Sequence, residues 1–178
     1  MSLTTQQLRA LVRDVPDFPK PGVGFRDITP VLASPEGFKA AVDGLAELAR
    51  PFRPDHVLAA EARGFLFGPA VAAELGAGFV LARKPGKLPR DTVSVAYELE
   101  YGVDRLEVHT DAIGPGHRVL VHDDLLATGG TAKALCELVE RAGGTVVACA
   151  FLIELAFLGG RERLAGHEVH ALLVDDEE

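Results

Sequence analysis

The most informative segment of the chain is Arg118-Val119-Leu120-Val121-His122-Asp123-Asp124-Leu125-Leu126-Ala127-Thr128-Gly129-Gly130-Thr131. It begins with an apolar run typical of a buried strand at 118–122. It then passes through two adjacent acids and a loop of small residues, and reaches a helical pattern near Thr131. A strand, a tight loop and a helix in that order form one βα unit. Since repeated units of this kind build a parallel sheet, the stretch predicts an α/β domain.

The same stretch places two kinds of binding group side by side. Backbone N–H groups at the start of a helix can hold a phosphate, here on Ala127, Thr128, Gly129, Gly130 and Thr131. The carboxylates of Asp123 and Asp124 can accept hydrogen bonds from a sugar diol. Either part alone has an ordinary explanation, because glycines often form turns and acid pairs are often solvated. Their occurrence together at a strand-to-helix junction favours a site for a phosphorylated sugar.

The rest of the chain repeats the alternation of strands and helices. Ser34-Pro35-Glu36 is a typical helix start. Strands are predicted at 56–60, 78–82, 145–153 and 169–174, and the arms of a hairpin at 92–97 and 106–108. We therefore expect a twisted parallel sheet with helices on both faces, as one domain over 1–178. Ligands bind at the carboxyl ends of the strands in such sheets, which is where the acid pair lies.

Composition narrows the class of protein. The 178 residues are 48% hydrophobic and carry a net charge of −8, which argues against general nucleic-acid binding. No apolar run reaches the roughly 20 residues of a membrane span, and the N-terminus has no apolar signal region. Cys136 and Cys149 form no C-x-x-C pair, so we expect no bound metal at cysteines and two reduced thiols in a cytoplasmic protein.

Two further segments carry charge that could bind an anion. Glu61-Ala62-Arg63-Gly64 follows a strand and precedes a helix, so its amides and Arg63 could bind a pyrophosphate or merely form a βα turn. The segment from Arg83 to Arg90 contains Lys84 and Lys87 and no acid. It is either a solvated loop or a clamp for a polyanion.

Two aromatic positions complete the set of candidates. Phe25, beside Arg26 in the irregular segment 16–30, could stack on a planar base, although its spacing alone favours a core plug. Glu100 and Tyr101 precede Gly102, which could serve as the hinge of a lid that excludes water.

These motifs together resemble the adenine phosphoribosyltransferases, a branch of the type I phosphoribosyltransferases, over nearly the whole chain. The resemblance is carried by Phe18-Pro19-Lys20-Pro21-Gly22, Phe25-Arg26-Asp27-Ile28-Thr29-Pro30, Ala62-Arg63-Gly64-Phe65, the basic segment from Arg83 to Pro89, Tyr97-Glu98-Leu99-Glu100-Tyr101-Gly102 and the stretch from Asp123 to Thr131. It implies the type I phosphoribosyltransferase fold, with an N-terminal hood segment at 1–33 and a basic and flexible lid loop at 83–109.

The resemblance also implies a reaction. Adenine and 5-phosphoribosyl-1-pyrophosphate (PRPP) give AMP and pyrophosphate, with Mg²⁺ bound mainly through PRPP. The loop from Ala127 to Thr131 is expected to hold the 5′-phosphate, and Asp123 and Asp124 the ribose hydroxyls. Arg63, Arg83, Lys84 and Lys87 are expected on the pyrophosphate, with Arg83 reaching the partner subunit of a homodimer.

For the base, the resemblance implies that Phe25 and the backbone near Arg26 bind adenine. Glu100 and Tyr101 are expected to close over it, with catalytic roles for both and for Arg63. Two positions depart from the family pattern. His122 stands where Val or Ile is usual and is expected to titrate near neutrality. Gly24 stands where a larger apolar residue is usual.

Two alternatives stay open at this point. A PRPP-sensing regulator would share the domain but needs a DNA-binding module, for which 178 residues with a net charge of −8 leave no obvious room. A phosphoribosyltransferase for another purine, such as xanthine, would share the reaction. The F-R-D stretch at 25–27 favours adenine.

Overall fold

The predicted alternation is present in the computed structural model, which describes residues 3–98 and 103–177. Its strands are β1 (Arg13–Val15), β2 (Phe25–Asp27), β3 (His56–Ala60), β4 (Gly78–Ala82), β5 (Thr92–Glu98), β6 (Val103–His109), β7 (Arg118–Leu126), β8 (Thr145–Leu155) and β9 (Val169–Asp175). Its α-helices are α1 (Thr5–Arg9), α2 (Thr29–Ala33), α3 (Pro35–Ala49), α4 (Gly68–Leu75) and α5 (Gly130–Arg141). Short 3₁₀ turns cover Arg50–Phe52, Arg63–Phe65, Ala156–Leu158 and Gly160–Leu164.

Five strands form the central sheet in the order β4-β3-β7-β8-β9. Every neighbouring pair in this sheet is parallel. Two antiparallel pairs lie outside it, β1 with β2 and β5 with β6. Because β7 is the central strand, the carboxyl end of β3 lies beside its acid pair on one side, and Phe151 of β8 pairs with Asp123 on the other. Ligands of α/β sheets bind at this edge.

Side chains alternate between the two faces of the sheet and build two apolar cores. Leu58, Val121 and Cys149 point to the face covered by α5 and the β5–β6 hairpin. Val57 and Leu120 point to the other face, which α3 and α4 cover. The strands are buried on both faces, which explains their nearly continuous apolar sequences. The predicted parallel sheet with helices on both faces is confirmed.

The predicted end of β7 was wrong, and the difference affects the site. Strand β7 does not end at His122 but continues to Leu126, because residues beyond the acid pair still pair with β8, Leu125 with Ile153 among them. The acids therefore lie within the strand rather than after it. Helix α5 begins at Gly130, one residue earlier than predicted, after Gly129 turns the chain with a φ of 83°.

The N-terminal segment contains more regular structure than its prolines suggested. Residues 25–27 form β2, which pairs with β1 so that Arg26 lies opposite Asp14. Helix α3 begins as predicted, with the Ser34 hydroxyl accepting a hydrogen bond from the Gly37 amide at 3.0 Å. None of the helices in the described part of the chain is long and apolar enough to cross a membrane.

Candidate active site

A cavity of about 290 Å³ opens at the carboxyl end of β7. Its lining is Asp123, Leu125, Leu126, Ala127, Thr128, Gly129, Gly130, Thr131, Ala132 and Arg163. The loop after β7 and the first turn of α5 thus form most of the wall, which places the free amides of a helix N-terminus on the cavity. The structure therefore brings the five predicted phosphate-loop residues into one concave site with Asp123.

A second cavity of about 280 Å³ adjoins the first. Its lining includes Ala60, Glu61, Ala62, Arg63, Lys84, Tyr97, Leu106, Asp124 and the three residues that it shares with the first cavity, Asp123, Leu125 and Thr131. The 61–64 loop and the acid pair, predicted separately, meet here. One extended ligand could therefore place one end on the loop amides and the other beside the cations Arg63 and Lys84.

The acid pair is held in two different ways. Asp124 is only 3% exposed and accepts from Arg63, whose Nε and Nη2 lie 2.7 and 2.6 Å from Oδ2. Asp123 accepts from the Asp124 amide at 2.9 Å. Burial, followed by the neighbouring Asp124 carboxylate, raises the pKa of Asp123 well above its usual value. Asp123 therefore keeps its proton to a higher pH than an ordinary aspartate does.

The basic segment is neutralised by acids from distant parts of the chain. Arg83 pairs with Glu61, Nη2 to Oε2 at 3.0 Å. Lys84 pairs with Asp104 at 2.6 Å, and Arg90 pairs with Asp111. Of the three cations predicted to bind pyrophosphate here, only Lys84 lines either cavity, and Arg83 and Lys87 lie outside the lining. A polyanion would have to compete for Lys84 with the Asp104 carboxylate.

Phe25 connects the N-terminal segment to the acid pair. The Arg63 guanidinium carbon lies 5.2 Å from the centre of the Phe25 ring, within the range of a cation–π contact. Phe18 meets the same ring edge-on at 5.0 Å. Phe25 is half-buried and belongs to neither apolar core, so it is not the core plug that its spacing favoured.

The Arg26 side chain faces away from Phe25 into an ion-pair network. It is 7% exposed, and its Nε lies 2.6 Å from Asp175 and 3.2 Å from Asp14. Arg9 reaches Asp175 as well, at 3.0 Å. The network fastens β2 to the last strand of the sheet, so Arg26 holds Phe25 in place while its guanidinium is committed elsewhere.

Comparison with known proteins settles the family. A family model described as "Phosphoribosyl transferase domain" matches residues 30–176. An adenine phosphoribosyltransferase of Rubrobacter xylanophilus is 62% identical over 171 residues, which cover 96% of this chain and 92% of that one. The chain belongs to the adenine phosphoribosyltransferase family.

Solved structures of the family share the fold closely. The adenine phosphoribosyltransferase of Thermoanaerobacter pseudethanolicus superposes with a TM-score of 0.94 at 49% identity, covering 97% of this chain and 100% of that one. The Saccharomyces cerevisiae enzyme, solved with adenine and an imino-altritol bisphosphate, gives a TM-score of 0.90 at 39% identity, with coverage of 95% and 98%. The predicted family and fold are therefore confirmed.

His122 was expected to titrate near neutrality, and the structure corrects this. The residue is fully buried, with Nδ1 2.9 Å from the Ala150 carbonyl oxygen. Burial lowers the pKa of the imidazole from 6.5 to about 4, against the weaker opposing effect of that hydrogen bond. The ring is therefore neutral at physiological pH and donates to Ala150, so it adds no charge beside this family's acid pair.

Four side chains at the site were not predicted. Glu61 and Asp104 pair with the basic segment, while Tyr97 and Arg163 line the cavities. Glu61 and Tyr97 stand within the motifs given above, but nothing local marks Asp104 and Arg163 as site residues. Glu100 and Tyr101, the predicted lid residues of this phosphoribosyltransferase, lie outside the described residues.

Proposed function

We propose that this chain transfers the 5-phosphoribosyl group of PRPP to adenine, giving AMP and pyrophosphate. The observation that carries the proposal is the pair of adjoining cavities that share Asp123, one walled by helix-N-terminal amides and the other by Arg63 and Lys84. PRPP has a phosphate at one end, a diol in the middle and a pyrophosphate at the other end. The order of groups in the ligand matches the order of groups in the site.

Each part of PRPP has a partner under this proposal. The 5′-phosphate binds the amides of 127–131, where the dipole of α5 favours an anion. The 2′- and 3′-hydroxyls donate to Asp123 and Asp124. The pyrophosphate lies beside Arg63 and Lys84, with Arg83 and Lys87 farther out on the same segment. Asp124 is already bound to Arg63, which positions the guanidinium next to the ribose.

The reaction develops charges of opposite sign on the two sides of the bond that breaks. As the bond from C1′ to the pyrophosphate oxygen breaks, positive charge develops on the ribose and negative charge on the leaving group. Adenine N9 attacks C1′, and the proton that the imidazole ring of adenine gives up passes to the carboxylate of Glu100. Arg63 and Lys84 stabilise the leaving anion, while the carboxylate of Asp124 faces the ribose. Glu100 and Tyr101 are proposed to close over the base and exclude water, with Glu100 acting on its imidazole edge.

Adenine is proposed to bind under the hood segment beside Phe25. The ring of Phe25 is half-exposed, and the network on Arg26 holds its strand. An aromatic ring in this position can stack on the planar base. Because the Arg26 side chain is held by the ion-pair network, the backbone groups of β2 are proposed to read the edge of adenine.

Magnesium fits the proposed site. Mg²⁺ prefers carboxylate and phosphate oxygens and keeps several waters. Asp123 offers a carboxylate at the junction of the two cavities, so it would hold the ion together with the PRPP oxygens. The ion would offset negative charge on the leaving pyrophosphate. Arg63 and Lys84 serve the same end from the protein side.

Two features support a cytoplasmic homodimer. Leu66 and Leu81 are 40% and 41% exposed, and they adjoin the Phe65 and Phe79 rings, which meet at 5.7 Å. An exposed apolar patch of this kind is typical of an interface between proteins. Both cysteines are free and buried, as suits a reducing compartment.

A panel of bases tests the proposal. PRPP-dependent nucleotide formation is measured with adenine, hypoxanthine, guanine, xanthine and uracil. The proposal requires AMP from adenine and at least tenfold lower kcat/KM for the other bases, about the discrimination of one well-placed polar contact. Preferred use of xanthine would establish the other-purine alternative. Tight PRPP binding without any product would establish the regulator.

A further inference from the structure

The first cavity has a second wall that the phosphate-loop motif does not supply. The 3₁₀ turn at Gly160–Leu164 lies directly against the loop after β7. A Cβ added at Gly129 would stand 2.5 Å from the Gly160 carbonyl oxygen, and one added at Gly160 would overlap the Ala127 carbonyl oxygen. The two segments therefore touch backbone to backbone, with no room for a side chain between them.

The turn is fixed from behind by an ion pair between a half-exposed arginine and a buried carboxylate. Arg161 meets Glu154 with both prongs, Nε to Oε1 and Nη2 to Oε2 at 2.7 Å each, and its Nη1 donates to the Val169 carbonyl oxygen at 2.6 Å. Glu154 is 4% exposed and Leu164 is 1% exposed. Because both ends of the turn are anchored, the residue between them has a defined position.

That residue is Arg163. It lines the first cavity, and its Cβ lies 3.2 Å from where a Gly129 Cβ would stand. Its side chain makes no ion pair or hydrogen bond with any residue in the described ranges 3–98 and 103–177. Arg163 and Asp123 are the charged side chains in the lining. Without Arg163, a phosphate dianion in this cavity would face one carboxylate and no cationic side chain.

We propose that Arg163 binds the 5′-phosphate, adding a charged contact from outside the 123–131 motif to the amides of the loop. The inference rests on the proposed function, because it concerns the phosphate of PRPP and AMP. A guanidinium presents two parallel N–H donors that match phosphate oxygens, and charge-assisted hydrogen bonds are stronger than neutral ones. Arg163 is thus a specificity residue for phosphorylated ribose.

Calorimetry on the full chain tests this role. R163Q keeps a polar side chain and removes the charge, R163K keeps a point charge without the fork, and K133Q is the matched control. Lys133 is an exposed cation on α5, outside the cavity lining. Titrations with AMP and with pyrophosphate should show R163Q weakening AMP about tenfold or more, with pyrophosphate unchanged. R163K should lie between R163Q and K133Q.

Two results would overturn the inference. One is AMP affinity in R163Q equal to that of K133Q. The other is an equal loss of AMP and pyrophosphate affinity, which would mark a general disturbance of the site. If R163Q does not fold, R163K against K133Q decides by the same comparison. Turnover of adenine and PRPP by the unmodified protein distinguishes failure of the proposed function from failure of the role of Arg163. If the unmodified protein shows no turnover, the proposed function fails. If it shows turnover and R163Q binds AMP normally, only the role of Arg163 is refuted.

Discussion

Arg63 and Asp124 form an ion pair in which two guanidinium nitrogens, Nε and Nη2, approach the same carboxylate oxygen at 2.7 and 2.6 Å. The same guanidinium lies over the ring of Phe25. One side chain therefore joins the hood segment, the 61–64 loop and the acid pair. The proposed base and PRPP sites meet at this side chain, so changes on either side of Arg63 should separate binding of the two substrates.

The acid pair gives the first prediction. Replacing both Asp123 and Asp124 by Asn should weaken PRPP binding about tenfold or more, since amides replace charged acceptors of the ribose hydroxyls. The fold should survive, because Asn keeps the size of the side chains. Calorimetric titration with PRPP measures the effect, with Asp43→Asn as control, since Asp43 lies on α3 and pairs with Lys39 outside both cavities. Unchanged PRPP affinity would remove these acids from the substrate site.

Gly129 gives the second prediction. Its φ of 83° and the nearby Gly160 carbonyl oxygen leave no place for a side chain. Gly129→Ala should therefore raise the KM for PRPP and lower the free energy of unfolding. Gly143→Ala is the matched control, because Gly143 has a φ of 88° but its nearest neighbour, Pro115, is 3.4 Å from an added Cβ. That control should lose about 1 to 2 kcal/mol of stability, with normal kinetics. Equal KM values in the two variants would show that the loop is only a turn.

The third prediction concerns pH. The pKa of His122 is about 4 in the folded protein against 6.5 for a free imidazole. The unfolded chain therefore takes up this proton first as the pH falls. The contribution of His122 to the free energy of unfolding is therefore complete above pH 6.5. It is lost progressively as the pH falls from 6.5 to about 4, by about 3 kcal/mol in total.

Urea unfolding across this pH range, compared with His122→Val, isolates the effect. The variant should lose stability less steeply than the unmodified protein between pH 6.5 and pH 4. Parallel curves for the two proteins would mean that His122 is accessible to protons in the folded state.

The hood network gives the fourth prediction. Arg26 is nearly buried, and Asp175→Asn removes its closest carboxylate. This should lower the free energy of unfolding by about 1 to 3 kcal/mol. Since β2 carries Phe25, the KM for adenine should rise while PRPP affinity stays normal. Initial-rate kinetics with each substrate varied in turn measures the split. The exposed Asp176→Asn is a neighbouring control. A change in both KM values would place the effect outside the hood.

The fold was predictable from sequence because its signals are local. Each strand of the central sheet carries its own apolar run, and the phosphate loop and acid pair are contiguous. The strand ends were less predictable: β7 runs through the acids because β8 continues to pair with it. Contacts between distant residues had no local signal at all. Arg63 and Asp124 are 61 positions apart, and Arg26 and Asp175 are 149 apart.

The ion pairs of the basic segment also lack a local signal. Its sequence contains four cations and no acid, which indicated a clamp. The acids that pair with it, Glu61, Asp104 and Asp111, come from other elements and meet it only in the folded chain. The run of cations therefore indicated where the basic segment lies, but not that acids from other parts of the chain pair with it.

A ³¹P NMR time course follows the proposed phosphoribosyl transfer itself. The unmodified protein is incubated with PRPP, Mg²⁺ and adenine, and the phosphorus signals are followed. We expect PRPP to be replaced by AMP and pyrophosphate in a one-to-one ratio, and PRPP to stay intact when adenine is omitted. Persistence of PRPP with adenine present, or its conversion to ribose 5-phosphate instead of AMP, would refute the proposed reaction.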